Sequence, residues 1–198
     1  MDGHFYALLA RMRYIQRWAL MRNTEPENIQ EHSHMVAILA HALAILQNKH
    51  FGGHIDPGQA VLLALYHDAT EILTGDLPTP IKYYNPALRA SYKEVEETAA
   101  NRLLELLPEE LRGDYAPYLL HPDPELEAVV KAADKLDAYL KCVKERKAGN
   151  GEFQTAQVQI WDALQANPLP ALGYFIQHYL PSFELTLDQL NGSTHTMF

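Results

Sequence analysis

The property that most restricts how this chain can fold is its periodicity. Between Phe5 and Tyr179 apolar residues return at steps of three and four, and no run keeps strand-like alternation between turn signals. An all-α fold follows, a compact single-domain helical bundle over residues 1–190, with a Ser/Thr/Gly-rich tail at 191–198 expected to fray.

Capping residues divide the pattern into elements. A first helix is predicted over Phe5 to Arg17, with Phe5, Leu8, Leu9, Met12 and Ile15 on one apolar face. A second starts at Thr24 or at Asn28, since each has a glutamate three residues later, and either start puts His32 near its N-terminal end. Asp56-Pro57-Gly58-Gln59 opens a third helix that carries His67-Asp68 near its end. Gly75 to Pro80 then stops regular structure as a rigid loop, because two prolines and a glycine cannot continue a helix. Asn85-Pro86 starts a helix to about Leu107, and Asp123-Pro124 starts another, carrying Asp134, that runs to Gly149. Two more are predicted at Phe153 to Gln165 and Pro170 to Tyr179.

Charge narrows the partners. With 16 basic against 25 acidic residues the formal net charge is -9, which gives no general attraction to a polynucleotide or an anionic membrane. The mixed stretch Lys141 to Lys147 reads as a solvated helix face. A single cysteine, Cys142, excludes an intrachain disulfide and suits a reducing compartment, with the thiol as a packing residue. The arginines interleaved through residues 1–18 leave no stretch fit for a signal peptide or a membrane span, so a cytoplasmic location is expected.

The densest chemistry is His67-Asp68-Ala69-Thr70-Glu71, three ionisable groups that a helix would bring into one small volume and whose desolvation a metal ion would offset. His32 is in phase with Val36, Leu39, Leu43 and Leu46 and so points inward. His34 and His41 follow another track with Ile38 and Ile45 and read as structural, while the remaining histidines read as surface groups. Asp134 flanks the stripe Leu126, Val129, Ala133, Leu136, Leu140 and Val143; Asp137, one turn on, is equally placed by geometry alone.

These words resemble a known family. His32, then His67-Asp68, then a distant Asp134 in an all-helical chain is similar to the signature of HD-domain metal-dependent phosphohydrolases. Arg17 to Asn23, Glu31-His32-Ser33, Tyr66 to Glu71, Thr74 to Pro80 and Ala133 to Leu136 together resemble the bacterial HD-domain 5′-deoxynucleotidases, over most of the chain. The resemblance implies His32, His67, Asp68 and Asp134 as metal ligands, selecting His32 over His34 and Asp134 over Asp137. It implies that Arg17 orients the phosphate, that Asp76, Leu77, Pro78 and Thr79 line the nucleotide pocket, and that the protein is a homodimer. Ala19, where the family often has proline, and the additional acid Asp137 depart from the pattern.

Two imidazoles and two carboxylates suit Mn²⁺, Co²⁺ or another divalent transition metal such as Fe²⁺ or Zn²⁺. Glu71 is the first candidate to transfer a proton and Asp76 the second. The guanidinium of Arg17 fits a phosphate dianion, and Trp18 offers a flat apolar surface to a sugar. The expected reaction is hydrolysis of deoxyribonucleoside 5′-monophosphates to deoxyribonucleosides and phosphate. Competing readings are an HD-type pyrophosphohydrolase acting on nucleoside triphosphates or alarmones, for which Arg17 and Lys82 are few basic groups, and a non-catalytic nucleotide-binding module, against which Glu71 weighs.

Overall fold

The computed structural model describes residues 3–82 and 84–192, with Thr79 and Pro80 described by backbone alone. Its elements are α1 (His4–Leu9), a 3-10 segment (Ala10–Tyr14), α2 (Ile29–His50), α3 (Pro57–Tyr66), α4 (Glu71–Thr74), α5 (Thr79–Lys82), α6 (Pro86–Glu105), α7 (Glu109–Leu119) and α8 (Pro124–Lys147). A 3-10 turn (Gly151–Phe153), α9 (Gln154–Gln165), α10 (Pro170–His178), a second 3-10 segment (Leu180–Glu184) and α11 (Leu187–Leu190) complete it. No strand occurs among the described residues, in agreement with the all-α reading. Residues 193–198 of the expected tail lie outside the described residues.

The cap signals act as their chemistry dictates. Asp56 Oδ1 accepts from the amides of Gly58 and Gln59, Asn85 Oδ1 from Leu88, and Asp123 Oδ1 from Glu125 and Leu126, each ahead of a proline at the first helical position. Of the two possible starts for α2, Asn28 forms the capping box with Glu31. Helices α2, α3, α8 and α10 share the main core around Val36, Leu43, Leu63, Val129, Leu136, Leu140 and Leu172. A smaller core of Phe5, Ala69, Leu103, Leu104 and Leu107 joins the first helix to α6 and α7.

Several elements differ from the sequence expectation. The first helix ends at Leu9 and continues as 3-10 turns only to Tyr14 rather than Arg17, because the Arg17 amide donates to Glu27 O at 2.9 Å and the Ile29 amide to Ile15 O at 3.0 Å. That pairing draws residues 15–17 out into extended backbone beside residues 27–29, forming an isolated bridge between Gln16 and Asn28. Helix α3 ends at Tyr66, so His67-Asp68 sits in the turn after it and Glu71 opens a separate short helix. Regular structure stops only over 75–78, for α5 begins at Thr79. Helix α7, with Gly113 and Pro117 inside it, was not expected.

The segment Lys141 to Lys147 is not a solvated face throughout. Lys141 and Glu145 are 5% and 1% exposed and form a buried ion pair. The Glu145 carboxylate also accepts from the Thr24 amide and hydroxyl, the Glu25 amide and Asn150 Nδ2, while Lys141 donates to Glu25 O. These bonds tie the connection ahead of α2 to α8. Burial works against the Glu145 charge, but Lys141, Thr24 and Asn150 hold its pKa far below the usual carboxylate range. Its stabilisation is therefore full above the ordinary carboxyl pKa and lost as pH falls through the depressed folded value. Glu145→Ala, which strands Lys141, is expected to cost about 3–5 kcal/mol at pH 7. Urea unfolding at pH 7 and pH 4 reads this, with the gap between variant and wild type narrowing at the lower pH; equal stabilities at pH 7 would refute it.

Candidate metal and nucleotide site

The site forms where three stretches distant in sequence meet. Helix α2 supplies His32 from its first turn, fully buried by the same phase that buries Val36 and Leu39. The turn after α3 supplies His67 and Asp68, held by Ala69, which is wholly buried in the smaller core. Helix α8 supplies Asp134 and Asp137 beside its apolar stripe.

His67 Nδ1 lies 2.6 Å from Ala64 O, a carbonyl that can only accept, so Nδ1 carries the hydrogen and Nε2 of the neutral ring is a lone pair. His32 Nδ1 lies 2.7 Å from Asp137 Oδ2, which orients that ring the same way. The two free Nε2 atoms are buried without hydrogen-bond partners. His67 Nε2 stands 3.2 Å from Asp68 Oδ2, and His32 Nε2 stands 3.5 Å from that same oxygen and 3.2 Å from Asp134 Oδ1. Nitrogen lone pairs thus face carboxylate oxygens, an arrangement that either a cation among them or protonation of the rings would stabilise. The donor set fits a divalent metal, and His32, His67 and Asp68 have ligand atoms within 4.8 Å of one another.

Electrostatics agree with that reading. Burial and Arg17 lower the His32 pKa, yet Asp134 and Asp137 outweigh them and raise it to about 9. In the absence of a metal a proton answers the carboxylates, so metal and proton compete for one lone pair. Asp134 works against its own desolvation and is held well below the carboxylate range by His32, Arg17 and His67. Its side chain keeps 37% of its surface exposed, which makes it the open side of the cluster.

Around this cluster stand the other expected residues. Arg17 Nη1 is 3.4 Å from Glu27 Oε1. Burial opposes its charge, but Asp134, Glu27, Asp68 and Asp137 keep it protonated. Trp18 has a left-handed backbone, φ 57°, rare for any residue but glycine, and its indole packs on Phe153 at 5.3 Å with the Nε1 donor buried and unpartnered. Glu71 Oε2 is likewise buried and unpartnered. Burial, then the charges of Asp68 and Asp76, push the Glu71 pKa well above the carboxyl range. Asp76 is half-buried; burial raises its pKa, opposed by Arg17 and the Trp18 backbone amide. Leu77 and Pro78 are half-buried on the following connection, and the side chain of Thr79 lies outside the described residues.

Sequence reasoning missed Glu27 and the buried, unpartnered hydroxyl of Tyr92 on α6, which lies within electrostatic reach of Glu71 and Lys82. Neither has a local signal, since both acquire meaning only through contacts between elements. His34 and His41 are exposed on α2 rather than packed. Cys142 is buried, and burial raises its thiol pKa to about 11, consistent with packing rather than chemistry.

Residues 4–183 match the family model described as 5′-deoxynucleotidase YfbR-like. The chain belongs to this family. It is 52% identical over 192 residues to a 5′-deoxynucleotidase of Vibrio cholerae, covering 96% of this chain and 99% of the relative. A 5′-deoxynucleotidase of Shewanella oneidensis is 50% identical over 191 residues, covering 96% and 98%. Among solved structures, an HD-domain phosphohydrolase from Listeria innocua superposes with a TM-score of 0.79 at 22% identity, over 91% of this chain and 88% of the other. A cyanophage S-2L HD phosphohydrolase bound to dA and one catalytic Zn²⁺ ion superposes with a TM-score of 0.61 at 22% identity, over 91% and 96%. Both likenesses show the HD-domain fold.

Proposed function

We propose that this member of the family hydrolyses deoxyribonucleoside 5′-monophosphates with a divalent metal held by His32, His67, Asp68 and Asp134. The protein is a 5′-deoxynucleotidase, a phosphoric monoester hydrolase. The observation that carries the metal site is the convergence of two unpartnered imidazole lone pairs on the Asp68 and Asp134 carboxylates. Co²⁺, Mn²⁺ and Zn²⁺ all suit this donor set. When bound, the ion supplies Lewis acidity toward a phosphoryl oxygen and toward a water molecule.

The protein's own groups do the rest. Arg17, fixed by Glu27, binds the phosphate dianion through its guanidinium fork. Trp18 packs against the deoxyribose, its strained backbone setting the ring's position. Glu71, kept neutral by burial, gives its proton to the departing 5′ oxygen of the sugar. Asp76, Leu77, Pro78 and Thr79 line the nucleotide pocket and leave a 2′-hydroxyl without a partner. Anchoring through phosphate and sugar leaves the base little selected.

Phosphate release from the four dNMPs, the matched NMPs, dNTPs and an aryl phosphate, with Mn²⁺ or Co²⁺ added, tests this reading. Discrimination of about 1–3 kcal/mol against the ribonucleotides, roughly 5–150-fold in rate, is expected. Equal rates on NMPs and dNMPs would refute the sugar selectivity, and pyrophosphate as product would favour the triphosphate reading. No helix among the described residues is long and apolar enough to cross a membrane. A cytoplasmic location and a homodimer are part of the proposal; the exposed Ile38 and Ile45 on α2 and Leu62 and Leu65 on α3 support the dimer alone, and a monomer mass in sedimentation would exclude it.

A further inference from the structure

We infer that Asp137 is a positioning residue for the metal-binding ring of His32, an inference that rests on the metal site proposed above. Asp137 is 6% exposed, and its Oδ2 meets His32 Nδ1 at 2.7 Å in a fully buried hydrogen bond. With the carboxylate oxygen accepting, this bond places the hydrogen on Nδ1 and turns Nε2 toward Asp68 and Asp134. His67 is oriented differently, by the neutral carbonyl of Ala64. The two imidazoles are therefore unequal, since a carboxylate behind a ring makes its far nitrogen a better donor than a carbonyl does.

The same geometry sets Asp137 apart from the four proposed ligands. Its oxygen lies on the Nδ1 side of the ring, opposite the Nε2 that faces Asp68, His67 and Asp134. Glu27 Oε1 stands 3.6 Å from the same Nδ1 and 3.4 Å from Arg17 Nη1, so Asp137 and Glu27 together hem in the imidazole edge while Glu27 holds the guanidinium. Glu27 is too far for a good hydrogen bond to the ring and leaves Asp137 as its anchor. A carboxylate one turn from the ligand Asp134 on the same helix thus carries a separate task.

Zn²⁺ affinity, measured by chelator competition, separates this role from both catalysis and folding. Asp137→Ala is expected to weaken Zn²⁺ binding on the order of 10–100-fold. Asp137→Asn, whose amide oxygen still accepts from Nδ1 but carries no charge, is expected to restore the part of that loss due to ring orientation and to bind Zn²⁺ with an affinity between those of Ala and wild type. Thermal unfolding of the metal-free proteins provides the folding control and should leave the Asn variant near wild type. An Ala variant with wild-type Zn²⁺ affinity, or an Asn variant that loses as much as Ala, would overturn the inference. Either result would leave phosphate release from dNMPs by the wild type untouched, so failure here is distinguishable from failure of the proposed activity.

Discussion

Glu71→Gln is expected to retain metal and deoxynucleotide binding while turnover falls on the order of 10²–10⁴-fold, the range for loss of a general acid. Glutamine keeps the shape of the side chain and can still donate a hydrogen bond, but it cannot give up a proton. Oε2 of Glu71 is buried and unpartnered, and burial together with Asp68 and Asp76 keeps the carboxyl protonated near neutral pH. Because its folded pKa is raised, the folded state binds more protons than the unfolded chain, so this residue costs stability as pH rises above the ordinary carboxyl pKa. The metal-free glutamine variant should therefore unfold at a temperature equal to or above wild type at pH 8. Single-turnover phosphate release, dNMP binding by calorimetry and thermal unfolding read the three quantities. A variant that keeps wild-type turnover would remove Glu71 from the chemistry and leave Asp76 as the candidate, whereas one that loses nucleotide binding in step with turnover would make Glu71 a binding group.

The opposing requirements on Glu71 recur across the site, and they explain which parts of it were legible in the sequence. His32 was readable because a histidine in phase with Val36, Leu39 and Leu43 has to be buried with them. Asp56, Asn85 and Asp123 were readable because capping is local, reaching two or three residues along the chain. Asp134 and Asp137 could not be separated locally, since both sit on the same side of α8; the distinction lies in which nitrogen of His32 each one faces. The end of the first helix was hidden for a related reason. Its apolar period continues to Ile15, but a backbone bond from Arg17 to Glu27 competes for the chain and wins. Lys141 and Glu145 resembled a solvated pair because their partner, the Thr24–Glu25 segment, is about 120 residues away. Helix α7 was obscured by Gly113 and Pro117, whose local preferences oppose the packing of Tyr115, Ala116 and Leu119 on the smaller core. Local rules thus located the elements, while long-range pairing decided where they break and which carboxylate does what.

His67→Ala should show the consequence most directly, because it removes one of the two lone pairs on which the metal reading depends. Loss of metal from the purified chain is expected, together with loss of metal-dependent turnover on the order of 10³-fold or more, the several kcal/mol that a Lewis acid contributes. Stability gives a second readout. A metal that binds only the folded state at 100 times its dissociation constant adds about 2.7 kcal/mol, or roughly 5–10 °C for a domain of this size. Wild type should show that rise on addition of Zn²⁺ or Mn²⁺, and His67→Ala should not. The effect should also grow with pH. His32 binds a proton until about pH 9 in the metal-free protein, and each proton displaced weakens metal binding at lower pH. Without metal the variant loses the hydrogen bond from His67 Nδ1 to Ala64 O, an expected cost of about 1 kcal/mol, so the readout is the rise in melting temperature on adding metal to each protein. Metal content, melting temperature with and without added metal, and phosphate release measure the three effects. A variant that retains one metal per chain and wild-type turnover would show that the convergence of His32, His67, Asp68 and Asp134 is a structural coincidence, and the lone pairs facing those carboxylates would then require protonated imidazoles in the working protein.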